Sequence, residues 1–147
     1  MQQVTGSLIS EGELRRIICE PLAGDLLVEV ADKLGDQLSA TLKASQIRAI
    51  FDEAQRIGSL FRTEKFEEAV RRAHLLDPKI SYRAKRVAER DRKAGSAAEL
   101  IADVLKKALR IVLERTDDRD EVRARYVRFL EFFEAIVAYH KAHGGKD

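Results

Sequence analysis

The chain has little of what staples or breaks a small protein. Cys19 is its one cysteine, so its 147 residues hold no intramolecular disulfide. Pro21 and Pro78 are its only prolines, and tryptophan is absent. No apolar run approaches the ~20 residues that a membrane span needs. Residues Met1 to Gly6 lack the basic and apolar stretches of a secretory signal, so a cytoplasmic location is expected. Strand-like alternation, internal repeats and low-complexity tracts are also missing. What is present is charge, at 35% of residues, and apolar side chains, at 45%. That apolar share can build a core without staples, and the length suits one helical domain over 1–147. The expected fold is all-α: a compact bundle of five to six helices without a sheet.

Apolar residues recur at helical spacing through most of the chain. A first weak helix is expected over about 11–20, ending at Pro21 and loosely packed. A second covers about 22–38, with Leu26, Leu27, Val30, Ala31 and Leu34 inward, and Gly24 and Gly35 weakening its ends. A third covers about 44–57, with the stripe Ile47, Ile50, Phe51, Ala54 and Ile57, and Gly58 is expected to stop it. Thr63 reads as the N-cap of a fourth, whose inner face is Phe66, Ala69, Val70 and Ala73. Asp77-Pro78 reads as the N-cap and first-turn proline of a separate helix reaching about Arg90.

Arg92-Lys93-Ala94-Gly95 reads as a loop, and Ser96-Ala97-Ala98-Glu99 as a capping box that opens the next helix. Leu100, Ile101, Val104, Leu105, Ala108 and Val112 form its inner stripe, and Asp117 to Asp120 break it. The last helix, about 121–143, ends at Gly144-Gly145 and holds five of the nine aromatic residues. Phe129, Phe133 and Val137 read as core. Phe132, ~100° around the helix from Phe133, reads with Tyr139 as facing a partner. Short connections favour antiparallel neighbours.

Net charge is only +2 but is unevenly placed. Residues 1–70 carry 8 basic and 12 acidic side chains, residues 71–93 carry 9 and 3, and residues 94–147 carry 10 of each. Within the basic segment Lys79, Arg83, Arg86 and Arg90 share a ~60° arc along roughly 16 Å of helix, with Tyr82 at its margin. Ile80, Ala84 and Val87 lie on the inner side. Such a row is either a solvated helix face or a seat for a polyphosphate whose bases stack on the ring. Arg71, Arg72, Arg92 and Lys93 would widen the patch. Few acids interleave with the row, Glu89 and Asp91 being the nearest.

Other chemistry finds no support. No Glu is followed three residues later by His, the spacing of a di-iron bundle. His140 and His143 lack a third ligand nearby and read as a stacked or solvated pair rather than a metal site. His74 reads as a surface residue, and Cys19 as a buried thiol. A Gly-rich phosphate loop is absent. No catalytic residue, metal or cofactor is expected.

Three segments carry a resemblance. They are Thr41-Leu42-Lys43-Ala44-Ser45-Gln46-Ile47-Arg48, Leu76-Asp77-Pro78-Lys79-Ile80-Ser81-Tyr82-Arg83-Ala84-Lys85-Arg86, and Phe132-Phe133-Glu134-Ala135-Ile136-Val137-Ala138-Tyr139-His140-Lys141. In this order they resemble the small helical subunit of CRISPR type III-A (Csm) interference complexes. The middle segment follows a Pro-Lys-Leu-x-Tyr-x-x-Gly-Arg pattern, which places Pro78, Lys79, Tyr82 and Arg86. Lys85 stands where that pattern has Gly, and Lys43-Ala44 replaces a Thr-Thr pair. The first ~20 residues match nothing recognisable.

The resemblance implies an all-α, non-enzymatic subunit without cofactors, present in several copies. These self-associate into a filament beside guide-RNA-bearing backbone subunits and a large polymerase-like subunit. They contact single-stranded target RNA in the guide RNA duplex through its sugar-phosphate chain, because guide pairing reads the sequence. The residues expected at the RNA are Lys79, Tyr82, Arg83, Arg86 and Arg90, flanked by Arg71, Arg72, Arg92 and Lys93. Arg48 either joins them or pairs with Asp52 one turn along its helix. Two other readings stay open. One is a helix-turn-helix DNA binder reading with residues 45–57, although Asp52 and Glu53 would then face phosphate. The other is a helical protein-interaction module that binds no nucleic acid.

Overall fold

Among residues 9–147, which the computed structural model describes, six helices and one short 3-10 turn form, with no strand. The first eight residues of the N-terminal segment lie outside the described residues. The helices are α1 (Glu11–Cys19), α2 (Gly24–Ser39), α3 (Ala44–Arg62), α4 (Phe66–Arg90), α5 (Arg92–Val112) and α6 (Arg119–Ala142). The turn, Leu113–Arg115, follows α5. None is long and apolar enough to cross a membrane.

Aromatic bulk makes α6 the centre of the bundle. It touches α1, α2, α3 and α5, and α4 lies outside on α3 and α5. Val122, Tyr126, Phe129, Phe133 and Ile136 are buried along it. The Tyr126 hydroxyl donates to the Ala54 carbonyl at 2.7 Å, so the ring is buried without an unpaired hydroxyl. Burial also pushes its phenol far above the ordinary range. The expectation that Phe132 faces a partner is wrong, because it is as fully buried as Phe133. Helices on both sides of α6 cover directions that one stripe cannot. Val137 and Tyr139 are half-buried.

Tertiary contacts shift several expected boundaries. Gly58 does not stop α3. It is buried inside the helix, where a Cβ would come within 2.5 Å of Leu130 Cδ1 on α6. Thr63 ends α3 rather than opening α4, and its hydroxyl donates back to the Ser59 carbonyl at 3.0 Å. Lys65 caps α4, after a turn through Glu64 at φ 61°. Pro78 does not begin a new helix, for α4 runs 25 residues through it. The ring sits on the exposed side, while Ala69, Ala73, Leu76, Ile80 and Ala84 form one buried stripe across the proline. Packing of that stripe offsets the lost N–H.

Residues 92–95 are not a loop but the first turn of α5. Asp91 caps them, accepting from Lys93 N at 3.0 Å and Ala94 N at 3.2 Å. Gly95 lets α5 meet α4, since a Cβ there would lie 2.6 Å from Ala88 Cα. Ser96 is accordingly inside α5 and forms no capping box.

The expected loose N-terminal helix is firmly held. A capping box joins Ser10 and Glu13, and Leu14, Ile17 and Ile18 are fully buried. Arg128 of α6 donates to the Ile18 carbonyl at 2.8 Å. Cys19 is half-buried. At the other terminus the Lys146 carbonyl accepts from Ala44 N at 2.7 Å, so the tail after α6 caps the start of α3. His140, expected in a stacked or solvated pair with His143, is buried beneath Gly145. Its Nε2 donates to the Leu42 carbonyl, and its Nδ1 has no hydrogen-bond partner among the described residues. His143 stacks on Tyr139, with 6.2 Å between ring centroids.

Candidate nucleic-acid interface

Because α4 is unbroken, its outer face is longer than the sequence suggested. Arg72, Lys79, Arg83, Arg86 and Arg90 fall on one helical line that covers ~27 Å. All are exposed. Tyr82 and Leu75, 60% and 49% exposed, lie along the margin of the line. A polyanion laid along α4 would therefore meet cations and apolar surface together.

The C-terminal half of α4 forms one wall of a groove whose other wall is the start of α3. Ser45, Gln46, Tyr82, Arg83, Arg86, Val87 and Arg90 line it. The α3 wall is fixed at its end, where the Gln46 side chain accepts from Lys43 N at 2.8 Å and the tail caps Ala44. A second hollow continues toward the middle of both helices, between Ala49, Glu53, Lys79 and Arg83. Arg83 belongs to both.

The cations of the row are not equivalent. Lys79 pairs with Glu53 of α3 at 3.1 Å, and Glu53 also holds Arg56 at 3.3 Å. Lys79 therefore already has a carboxylate, which corrects the expectation that almost no acid meets the row. Arg86 donates to the Tyr82 hydroxyl at 2.8 Å, and its guanidinium lies 5.7 Å from the ring centroid. Arg83 and Arg90 project into the groove without a carboxylate partner among the described residues.

The remaining candidates lie outside the groove. Arg72 is on the row but reaches Glu68 at 3.8 Å. Arg71 is exposed on the N-terminal half of α4, beyond the groove walls. Arg92 and Lys93 are exposed at the start of α5, next in sequence to the Arg90 end. Arg48 is exposed on α3 but lines neither hollow. It adds to the pull of Lys141 that holds the Asp147 carboxyl below its usual range. On the opposite flank of α4, Lys85 and Lys106 share a hollow with Glu89, Glu99 and Asp103, so carboxylates outnumber cations there.

Ser45, Gln46, Glu53 and Leu75 were missed as parts of this face. The first two lie in the Thr41–Arg48 segment, so its resemblance was a usable signal. Glu53 meets Lys79 across 26 residues, a contact that no local spacing shows. Among the described residues no group of three or more His, Cys, Asp or Glu is placed to hold a metal ion. The arrangement offers positive charge, hydrogen-bond donors and one exposed ring, with no nucleophile beside a base.

The family model described as Csm2 Type III-A matches residues 22–146. Searches of curated proteins and of solved structures found no match.

Proposed function

The chain belongs to the Csm2 Type III-A family, the small-subunit family of CRISPR type III-A complexes, and from that premise we propose that α4 is its RNA-contacting face. In this reading the protein is a non-catalytic subunit that works in the cytoplasm. Several copies stack beside the backbone and large polymerase-like subunits along the duplex of guide and target RNA. Each holds the sugar-phosphate chain of the target RNA through Arg83, Arg86 and Arg90. Tyr82 supplies a ring for a base, and Lys79, Arg71, Arg72, Arg92, Lys93 and Arg48 extend the field.

The observation that carries the reading is the groove between α3 and α4, where Arg83 and Arg90 have no carboxylate partner among the described residues. Cations elsewhere on the described surface, such as Arg16, Lys33, Lys107 and Arg123, pair with a carboxylate one turn away on their own helix. A row of cations with one exposed ring fits binding through the sugar-phosphate chain and stacking, which ignores sequence.

The test is titration of single-stranded RNA against the protein at several salt concentrations. With three to four phosphates contacted, log K should fall with log salt at a slope of about −2 to −3. A slope near zero, or equal binding by the R83E/R90E variant, defeats the proposal. Preference for one duplex DNA sequence would instead favour the helix-turn-helix reading.

A further inference from the structure

The basic row of α4 has a counterpart of opposite sign elsewhere in the same chain. Asp25, Glu29, Asp32 and Asp36 follow one another on α2 at steps of four, three and four residues. Lys79, Arg83, Arg86 and Arg90 follow the same steps on α4. Each row thus covers the same ~16 Å and the same narrow arc of its helix. Each also has an exposed apolar side chain three residues after its first member, Val28 at 46% and Tyr82 at 60%. The steps read alike in both directions, so all four opposite charges come into register whether the two helices run parallel or antiparallel.

The rows do not meet within one molecule. α2 packs chiefly on α6, whereas α4 packs on α5 and α3. The recorded partners of each row lie elsewhere: Glu29 holds Lys33 at 3.4 Å, Asp32 holds His143, and Lys79 holds Glu53. Among the described residues, Asp25, Asp36, Arg83 and Arg90 form no ion pair, apart from a 3.6 Å approach of His143 to Asp36, and so can answer charge from outside.

We propose that the acidic face of α2 in one copy docks on the basic face of α4 in a second copy, and that RNA displaces it. The inference rests on α4 being the RNA face. The contact joins two different surfaces, so it propagates as an open chain rather than closing a pair. The acidic row presents carboxylates where phosphates would lie, so one α4 face cannot hold both. Copies free of RNA then cover one another's cationic grooves, and RNA clears them.

Sedimentation of the full chain at low and high salt, with and without a short oligouridine, tests this. Association that grows with protein concentration and is reversed by salt or by oligouridine is expected. E29K/D36K should weaken self-association on the order of tenfold or more while leaving RNA binding intact. The two substitutions lie at exposed positions, and circular dichroism checks that the fold persists. Combining E29K/D36K with R83E/R90E in one chain restores association if the helices run parallel, and combining it with K79E/R86E restores it if they run antiparallel. A monomer at every concentration, unchanged association of E29K/D36K, restoration in neither combined variant, or association that persists on RNA-saturated protein overturns the docking. Because E29K/D36K does not touch α4, its RNA titration shows separately whether the RNA reading stands.

Discussion

Arg86 reaches back one turn to Tyr82, donating a hydrogen bond of 2.8 Å to the phenol oxygen while its guanidinium lies 5.7 Å from the ring centroid. The pair stands on the exposed side of α4. A flexible cation and a rigid ring thus hold one another at the wall of the groove. Holding the ring in place lowers the cost of ordering it against a base.

Tyr82→Ala should weaken single-stranded RNA binding by ~1–3 kcal/mol, the usual worth of one stacked base. Tyr82→Phe keeps the ring and loses only the tether of Arg86, so it should retain most of the affinity. Both should melt like the parent. Equal loss in the two variants, read by fluorescence anisotropy, would mean that the hydroxyl rather than the ring is recognised.

Phe132→Ala and Phe133→Ala should each cost ~3–5 kcal/mol, since both rings are fully buried. Urea unfolding measures this directly. A Phe132 variant of parental stability would return that ring to a partner-facing role.

The bundle and its buried stripes were legible because apolar periodicity survives any arrangement of the helices. Val122, Tyr126, Phe129 and Phe133 needed nothing else. What stayed hidden depended on contacts between distant segments. Gly58 and Gly95 look like breaks locally, yet each removes a side chain where helices touch. Pro78 looks like a start, yet its helix is held from both sides by packing. The cations of the groove were found by spacing, but which of them were already paired was not. Glu53 lies on another helix, and only the fold brings it to Lys79.

Gly35 measures how closely α2 and α6 approach. A Cβ there would lie 2.6 Å from Tyr139 Cβ and 2.7 Å from His140 N, and backbone cannot yield as a side-chain tip can. Gly35→Ala should therefore destabilise by ~1–3 kcal/mol, although alanine is the better helix former by ~1 kcal/mol. Gly12→Ala, whose nearest neighbour is Ser10 Oγ at 3.9 Å, is the control and should be neutral or mildly stabilising. Melting both variants decides it. A more stable Gly35→Ala would mean that the two helices part easily.

Arg15 grips Glu114 through two hydrogen bonds of 2.7 Å, fastening α1 to the turn after α5. The Arg15 hydrogen bond holds the Glu114 carboxyl below its ordinary value of 4.5. The unfolded chain therefore takes up that proton first. The stabilisation is present above about pH 4.5 and is lost as pH falls through the lower folded value. Because both side chains are 44% exposed, the effect is worth at most ~1 kcal/mol. Glu114→Gln should lower the melting temperature slightly at neutral pH, and the gap from the parent should close on acidification. A gap that widened in acid would contradict the sign.

Within the α4 row, pairing should decide which charge reversals reach RNA and which reach the fold. Arg83 and Arg90 line the groove without a carboxylate partner among the described residues, so R83E/R90E removes no ion pair seen there. Its stability should stay within about 0.5 kcal/mol of the parent, as for other exposed substitutions. RNA affinity should fall, and with two fewer phosphates neutralised the salt slope should become shallower by ~1.4. Lys79→Glu acts on another balance. It replaces a contact of 3.1 Å to Glu53 with two neighbouring carboxylates, which should cost up to ~1 kcal/mol of stability. Its RNA effect should be smaller, since Glu53 already offsets that charge. Parallel melting and RNA titrations of the two variants separate the cases. If Lys79→Glu weakened RNA binding more than R83E/R90E did, the path of the RNA would run over the middle of α4, beside Glu53, and not through the groove at its end.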